Sequence, residues 1–145
     1  MARYSSGVRT GAGSTTLPII SVYATAAVSP KVREIGVFNT TTTAVALHVV
    51  LLTTAGTQGA GLVEGKHDPN SATAACTAFT THTGAPTLGS DMGYRTSLGA
   101  AIGSGVIWTF GDQGISVPLG TGNGVGVIVT TGTGQVCDAY IVWDE

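Results

Sequence analysis

The sequence predicts an all-β chain folded as a single antiparallel β-sandwich, jelly-roll-like in build. Short segments rich in Val, Ile, Thr and aromatic residues recur along it, roughly eight or nine in all. Gly, Pro, Asn and Ser clusters separate them about every 8–12 residues, the spacing of sandwiches and barrels. At 145 residues the chain is one domain's length, enough to bury roughly 68–70% of its unfolded surface.

Residues 1–16 are rich in Gly, Ser and Thr, with Arg3 and Arg9 the only charges. They read as a flexible or extended N-terminal arm, leaving 17–145 as the sandwich domain. Leu17 to Val28 is the first strand-like stretch, and Ser29-Pro30-Lys31 turns the chain. Val32 to Asn39 alternates, with Val32, Glu34, Gly36 and Phe38 opposite Arg33, Ile35 and Val37. Ala44 to Thr53 is the most apolar run. Val45, Leu47, Val49 and Leu51 share one face, Ala46, His48, Val50 and Leu52 the other, so this strand is expected to be central and covered on both sides.

Residues 55–93 carry the weakest pattern. Leu62-Val63-Glu64 suits a short strand, and Asp68 to Ser71 a turn. Ser71 to Thr81 reads as extended chain or one short helix, and Thr83 to Gly93 as a loop. Strand signals then return at Gly105 to Phe110 and at Ile115 to Leu119. Asn123-Gly124 is the favoured dipeptide of a type I′ hairpin turn. Val125 to Thr131 follows, and after Gly132 to Gln135 the last strand sets Val136, Asp138, Tyr140 and Val142 against Cys137, Ala139, Ile141 and Trp143.

Charged residues are 10% of the chain and the net charge is -2. Without a basic excess there is little to hold phosphates, which argues against direct nucleic-acid binding. A surface of Thr, Ser and Gly suits a protein that covers much of its outside with neighbours. No apolar run is long enough to span a bilayer, and no signal-peptide h-region is visible. Cys76 and Cys137 are accordingly expected as free thiols, a disulfide requiring that they fall on facing strands.

No motif directs the reading towards catalysis, a cofactor or a metal. His48, His67 and His82 form no close ligand pair. His48 is expected to be a hydrogen-bonded core or interface residue; His67 would need His82 beside it to hold a metal. Ser90 lacks the spacing of a nucleophile elbow, the acidic residues are dispersed, and the glycines of 120–126 lack a P-loop's lysine and helix. Asn39-Thr40-Thr41 matches a glycosylation sequon. Trp108 and Trp143 suit core packing, a protein anchor or a sugar platform.

Three stretches together carry a resemblance. They are the opening arm followed by Leu17-Pro18-Ile19-Ile20-Ser21-Val22-Tyr23-Ala24; Arg33 to Thr41; and the tail from Gly105-Val106-Ile107-Trp108 through Asp138-Ala139-Tyr140-Ile141-Val142-Trp143-Asp144-Glu145. The chain resembles the head decoration (cement) and minor capsid proteins of tailed bacteriophages. That resemblance implies a structural virion protein, not an enzyme. It implies a homotrimer on the capsid exterior, assembled in the host cytoplasm and bridging copies of the major capsid protein. It also implies that the arm orders on a neighbour, with Arg3, Tyr4 and Arg9 as capsid-binding anchors. The alternative is a tail-fibre or receptor-binding sandwich that recognises a glycan.

Overall fold

Two antiparallel sheets packed face to face, built from eleven strands and no helix, make up the chain. A computed structural model describes residues 1–145. In chain order the strands are β1 (Arg3–Arg9), β2 (Ile20–Tyr23), β3 (Lys31–Asn39), β4 (Val45–Leu52), β5 (Gly65–Lys66), β6 (Thr77–Thr80), β7 (Leu88–Leu98), β8 (Gly105–Thr109), β9 (Ile115–Ser116), β10 (Gly124–Thr131) and β11 (Cys137–Asp144). The first sheet runs β5-β1-β11-β3-β8, with β9 also pairing β3; the second runs β6-β2-β10-β4-β7.

With the short β5, β6 and β9 set aside, the pairing is nested. β1 joins β11, β2 joins β10, β3 joins β8 and β4 joins β7, all antiparallel. First pairs with last and fourth with fifth, as in one long hairpin rolled into two sheets. This is jelly-roll topology, as the strand spacing predicts.

Period-two alternation decides which side chains fill the space between the sheets. Tyr4, Ile35, Val37, Ile141 and Trp143 enter from the first sheet; Ile20, Val22, Leu47, Val49, Val125, Val127 and Val129 enter from the second. Each fully buried Val, Leu or Ile stabilises the fold by roughly 1.5–3 kcal/mol. β4 is covered on both faces, as its double apolar pattern predicts. Val45, Leu47 and Val49 join this core, while Val50 and Leu52 join Tyr23 and Ile128 in a smaller cluster on the opposite face of the second sheet.

Several expectations are corrected. Residues 1–16 are not an arm outside the domain. β1 pairs along its whole length with β11 and with β5 on its other side. Its alternation explains why: Tyr4, Ser6 and Thr10 are buried and Val8 packs on the core, while Arg3 and Arg9 stay outside. Val32 belongs with Ile35 and Val37 in the core, not with Glu34. A register shift between Val142 and Trp143 skips Arg33, so Val32 is turned inward.

Residues 88–93 are strand rather than loop, forming the first half of β7. Leu62 to Glu64 is not a strand; the two-residue β5 follows it, and Ser71 to Thr81 holds β6 and no helix. Asn123-Gly124 makes no type I′ turn. No non-glycine residue has positive φ; Gly120 does, at 121°, and Asn123 donates its backbone N–H to the Gly120 carbonyl. The chain here crosses from β9 in one sheet to β10 in the other, so no hairpin twist is required.

Candidate functional site

The outward side of the first sheet collects the side chains best suited to recognition. Alternation puts Arg3, Gly7 and Arg9 of β1 outside, beside Asp138, Tyr140, Val142 and Asp144 of β11. Next come Glu34, Gly36 and Phe38 of β3, then Gly105 and Ile107 of edge strand β8. The register forms cross-strand rows: Gly7, Tyr140, Gly36 and Ile107 lie in one, and Arg9, Asp138, Phe38 and Gly105 in the next.

The two aromatic rings lie flat because glycine stands beneath each. A Cβ on Gly36 would overlap the Tyr140 ring, and a Cβ on Gly105 would overlap the Phe38 ring. Both rings therefore lean the same way, each onto the next strand. Their planes are 22° apart and their centroids 6.5 Å apart, so they are side by side. Tyr140 Oη donates to Glu34 Oε1 at 2.6 Å, fixing the ring's tilt. Burial, then the Glu34 carboxylate, pushes the phenol up to about 12. Ile107 continues the apolar strip and is 52% exposed.

Paired charges border this strip. Arg9 makes a bidentate contact to Asp138, with Nε–Oδ1 at 2.8 Å and Nη2–Oδ2 at 2.9 Å. Arg3 grips Asp144 likewise, at 2.7 and 3.1 Å. The bulge that turns Val32 inward swings Arg33 to the same carboxylate, with Nε–Oδ2 at 2.6 Å. Arg33 Nη1 also donates to the carbonyls of Gly111 and Asp112, tying down the turn after β8. The hydrogen bond from Arg3, then that from Arg33, holds Asp144 below the usual carboxylate range; Arg9 does the same for Asp138.

Arg3 and Arg9, expected as capsid anchors, thus lie on one face, each paired within the chain. Tyr4 does not join them. It is 2% exposed, stacks on Trp143 at 5.9 Å and donates its hydroxyl to the Ala72 carbonyl at 2.8 Å. Trp143 is fully buried, and Trp108 is half-buried against the core. Phe38, Tyr140, Glu34 and Ile107 were not singled out by sequence reasoning. Gly36 and Gly105, within strands, were the available signal, since such glycines often mark a close approach.

The remaining polar candidates serve the fold. Asn39 is buried, donates Nδ2 to the carbonyls of Thr43 and Gly99 at 2.8 and 2.9 Å, and accepts from the Thr41 N–H. Its amide is engaged, not presented as a sequon. His82 is buried and stacked on Tyr23, with Nε2 2.9 Å from Ser21 Oγ. His67, by contrast, lines an open groove of about 380 Å³ with Arg3, Asp68 and Asp144. His48 Nδ1 sits 3.3 Å from Asp91 Oδ2, at an angle that makes no hydrogen bond. No three His, Cys, Asp or Glu side chains are grouped to hold a metal ion. Cys76 and Cys137 are both free and buried, and burial raises the Cys76 thiol to about 12.

Comparison with protein-family models, with curated proteins and with solved structures finds no match to this chain.

Proposed function

We propose that this chain is a structural assembly protein that docks through the outward face of its first sheet. Its partner is a viral shell, which it decorates from outside and cements by bridging major capsid subunits. The observation that carries this reading is the make-up of that face. A half-buried aromatic pair and Ile107 occupy the middle, and Arg9–Asp138 and Arg3–Asp144–Arg33 flank them. Tyr, Phe and Arg are the residues enriched in protein interfaces. Arginines already bound to carboxylates keep those hydrogen bonds when water leaves, which offsets part of the cost of desolvating them. A sheet also presents them rigidly, so little ordering entropy is lost on binding.

The choice of partner rests on the resemblance of the sequence to phage decoration proteins. That resemblance also implies three copies around a three-fold axis, where modest contacts to several shell subunits multiply through effective concentration. The test is co-sedimentation of the purified protein with heads from tailed phages, before and after expansion. Saturable binding that Tyr140→Ala weakens at least tenfold supports the reading. Failure to bind any head, or binding indifferent to Tyr140, Phe38 and Arg9, overturns it.

Glycan recognition is the second reading, favoured by the flat Tyr140–Phe38 pair beside Glu34 and Asp138. Aromatic faces stack on sugar rings while carboxylates accept from hydroxyls. A glycan panel titrated by calorimetry, with Phe38→Ala as control, decides it: heat lost in that variant supports the reading and no heat rejects it.

A further inference from the structure

We propose that the free edge of β8 pairs, antiparallel, with the same edge of a second copy across a two-fold axis at Ile107. The inference holds whichever ligand the rest of the outward face takes, but it withdraws Ile107 from that face and puts a two-fold dimer in place of the implied trimer.

The sandwich has five outermost strands, counting the two-residue β9 that lies beside β8 on β3, and four are blunted against edge-to-edge association. β5 has only two residues, one of them Lys66. β6 is covered by its own chain: Leu62 N–H donates to the Ala78 carbonyl at 2.8 Å, and Thr80 N–H to the Ala60 carbonyl at 3.1 Å. β7 is broken by register shifts, bends at Gly93 with φ of 78°, and carries Asp91 and Arg95. β8 has none of these devices. Its sequence, Gly105-Val106-Ile107-Trp108-Thr109, contains no charge and no proline, and all five residues keep unbroken register with β3.

The ladder shows which groups point away. Phe110 N–H donates to the Arg33 carbonyl at 2.9 Å. Antiparallel bonding alternates every second residue. Trp108 and Val106 therefore bond to β3, while the N–H and C=O groups of Gly105, Ile107 and Thr109 face outward. This edge is complementary to itself. Centred on Ile107, an antiparallel copy sets Ile107 opposite its own equivalent and Gly105 opposite Thr109. That makes roughly six backbone hydrogen bonds and brings no like charges together. It covers the exposed Ile107 side chain and joins the two aromatic strips across the axis. The symmetry is two-fold and closed, which differs from the trimer implied by resemblance.

Light scattering and sedimentation equilibrium on the full chain test the proposal. The mass is expected to rise with concentration towards twice the chain's 14.5 kDa. Ile107→Lys should return it to 14.5 kDa with an unchanged circular dichroism spectrum and Tm. Ile107→Cys provides a second readout. Directly opposed hydrogen-bonded residues have Cα atoms about 5.5 Å apart, within disulfide range. Mild oxidation should link this variant into pairs, while Ser97→Cys on exposed β7 should not link. Cys76 and Cys137 are buried and will not compete. A monomer at every concentration without a cross-link overturns the proposal. So does an oligomer that survives Ile107→Lys while Ile107→Cys stays reduced.

Discussion

The ring of Tyr140 lies directly across the backbone of Gly36, so residue 36 must lack a side chain for the ring to lie flat. Gly36→Ala is expected to drive the ring off the sheet and break its 2.6 Å bond to Glu34. Spectrophotometric titration of the tyrosines checks this. The phenol near 12 should fall back towards 10 in the variant. Overpacking of this kind costs about 1–2 kcal/mol, because the ring has solvent to move into.

Asp144 accepts from two arginines, Arg3 and Arg33, that stand on the strands flanking its own, β1 and β3. Asp144→Asn keeps the shape and removes the charge. The expected loss at neutral pH is about 1–2 kcal/mol, kept small because Arg3 is half in solvent and screened. The folded protein holds this carboxyl below its usual 3.8. The unfolded chain therefore binds more protons between the folded value and 3.8. The stabilisation is complete above that window and fades as pH falls through it. Urea midpoints measured from pH 6 downwards should fall more steeply below about pH 4 in the natural protein than in Asp144→Asn.

His82 gives a second pH dependence, at a milder pH. Burial holds its imidazole below 6.5, so the neutral form is the one the fold accepts. The unfolded chain takes up a proton first as pH drops past 6.5. Stability from this site is complete above pH 6.5 and declines below it. His82→Asn, which retains a polar group beside Ser21, should flatten the urea midpoint between pH 7 and pH 5.

Deleting residues 1–9 should prevent folding rather than trim a tail. The deletion removes the strand between β5 and β11, and with it the Tyr4 ring that covers Trp143. Circular dichroism and proteolysis would report an unfolded or aggregated chain. A truncated protein that keeps its Tm would show β1 to be dispensable.

Much of the fold was legible where alternation is strong. β4, β10 and β11 have apolar residues at every second position, and their faces follow the pattern read from sequence. β7 was hidden because its charges and glycines break the alternation; it is strand because β4 offers it an edge to pair with. β1 had a readable signal. Tyr4, Ser6, Val8 and Thr10 alternate with Arg3, Ser5, Gly7 and Arg9, but small polar residues mask the pattern. The inward turn of Val32 depends on a bulge against Val142 and Trp143, about 110 residues away, which no local window contains. The aromatic strip was out of reach for a related reason. Tyr140 and Phe38 are ordinary strand residues until cross-strand register sets glycines opposite them.

The nested pairing has a consequence for biosynthesis. β11 is the latest of the eleven strands to leave the ribosome, yet it lies between β1 and β3. Until it emerges, β1 lacks the neighbour that pairs its full length. At about 5–20 residues per second, translation leaves β1 waiting on the order of ten seconds for that neighbour. The Ser- and Gly-rich character of Arg3–Arg9 keeps this waiting segment soluble, where a more apolar strand would invite premature association with other nascent chains.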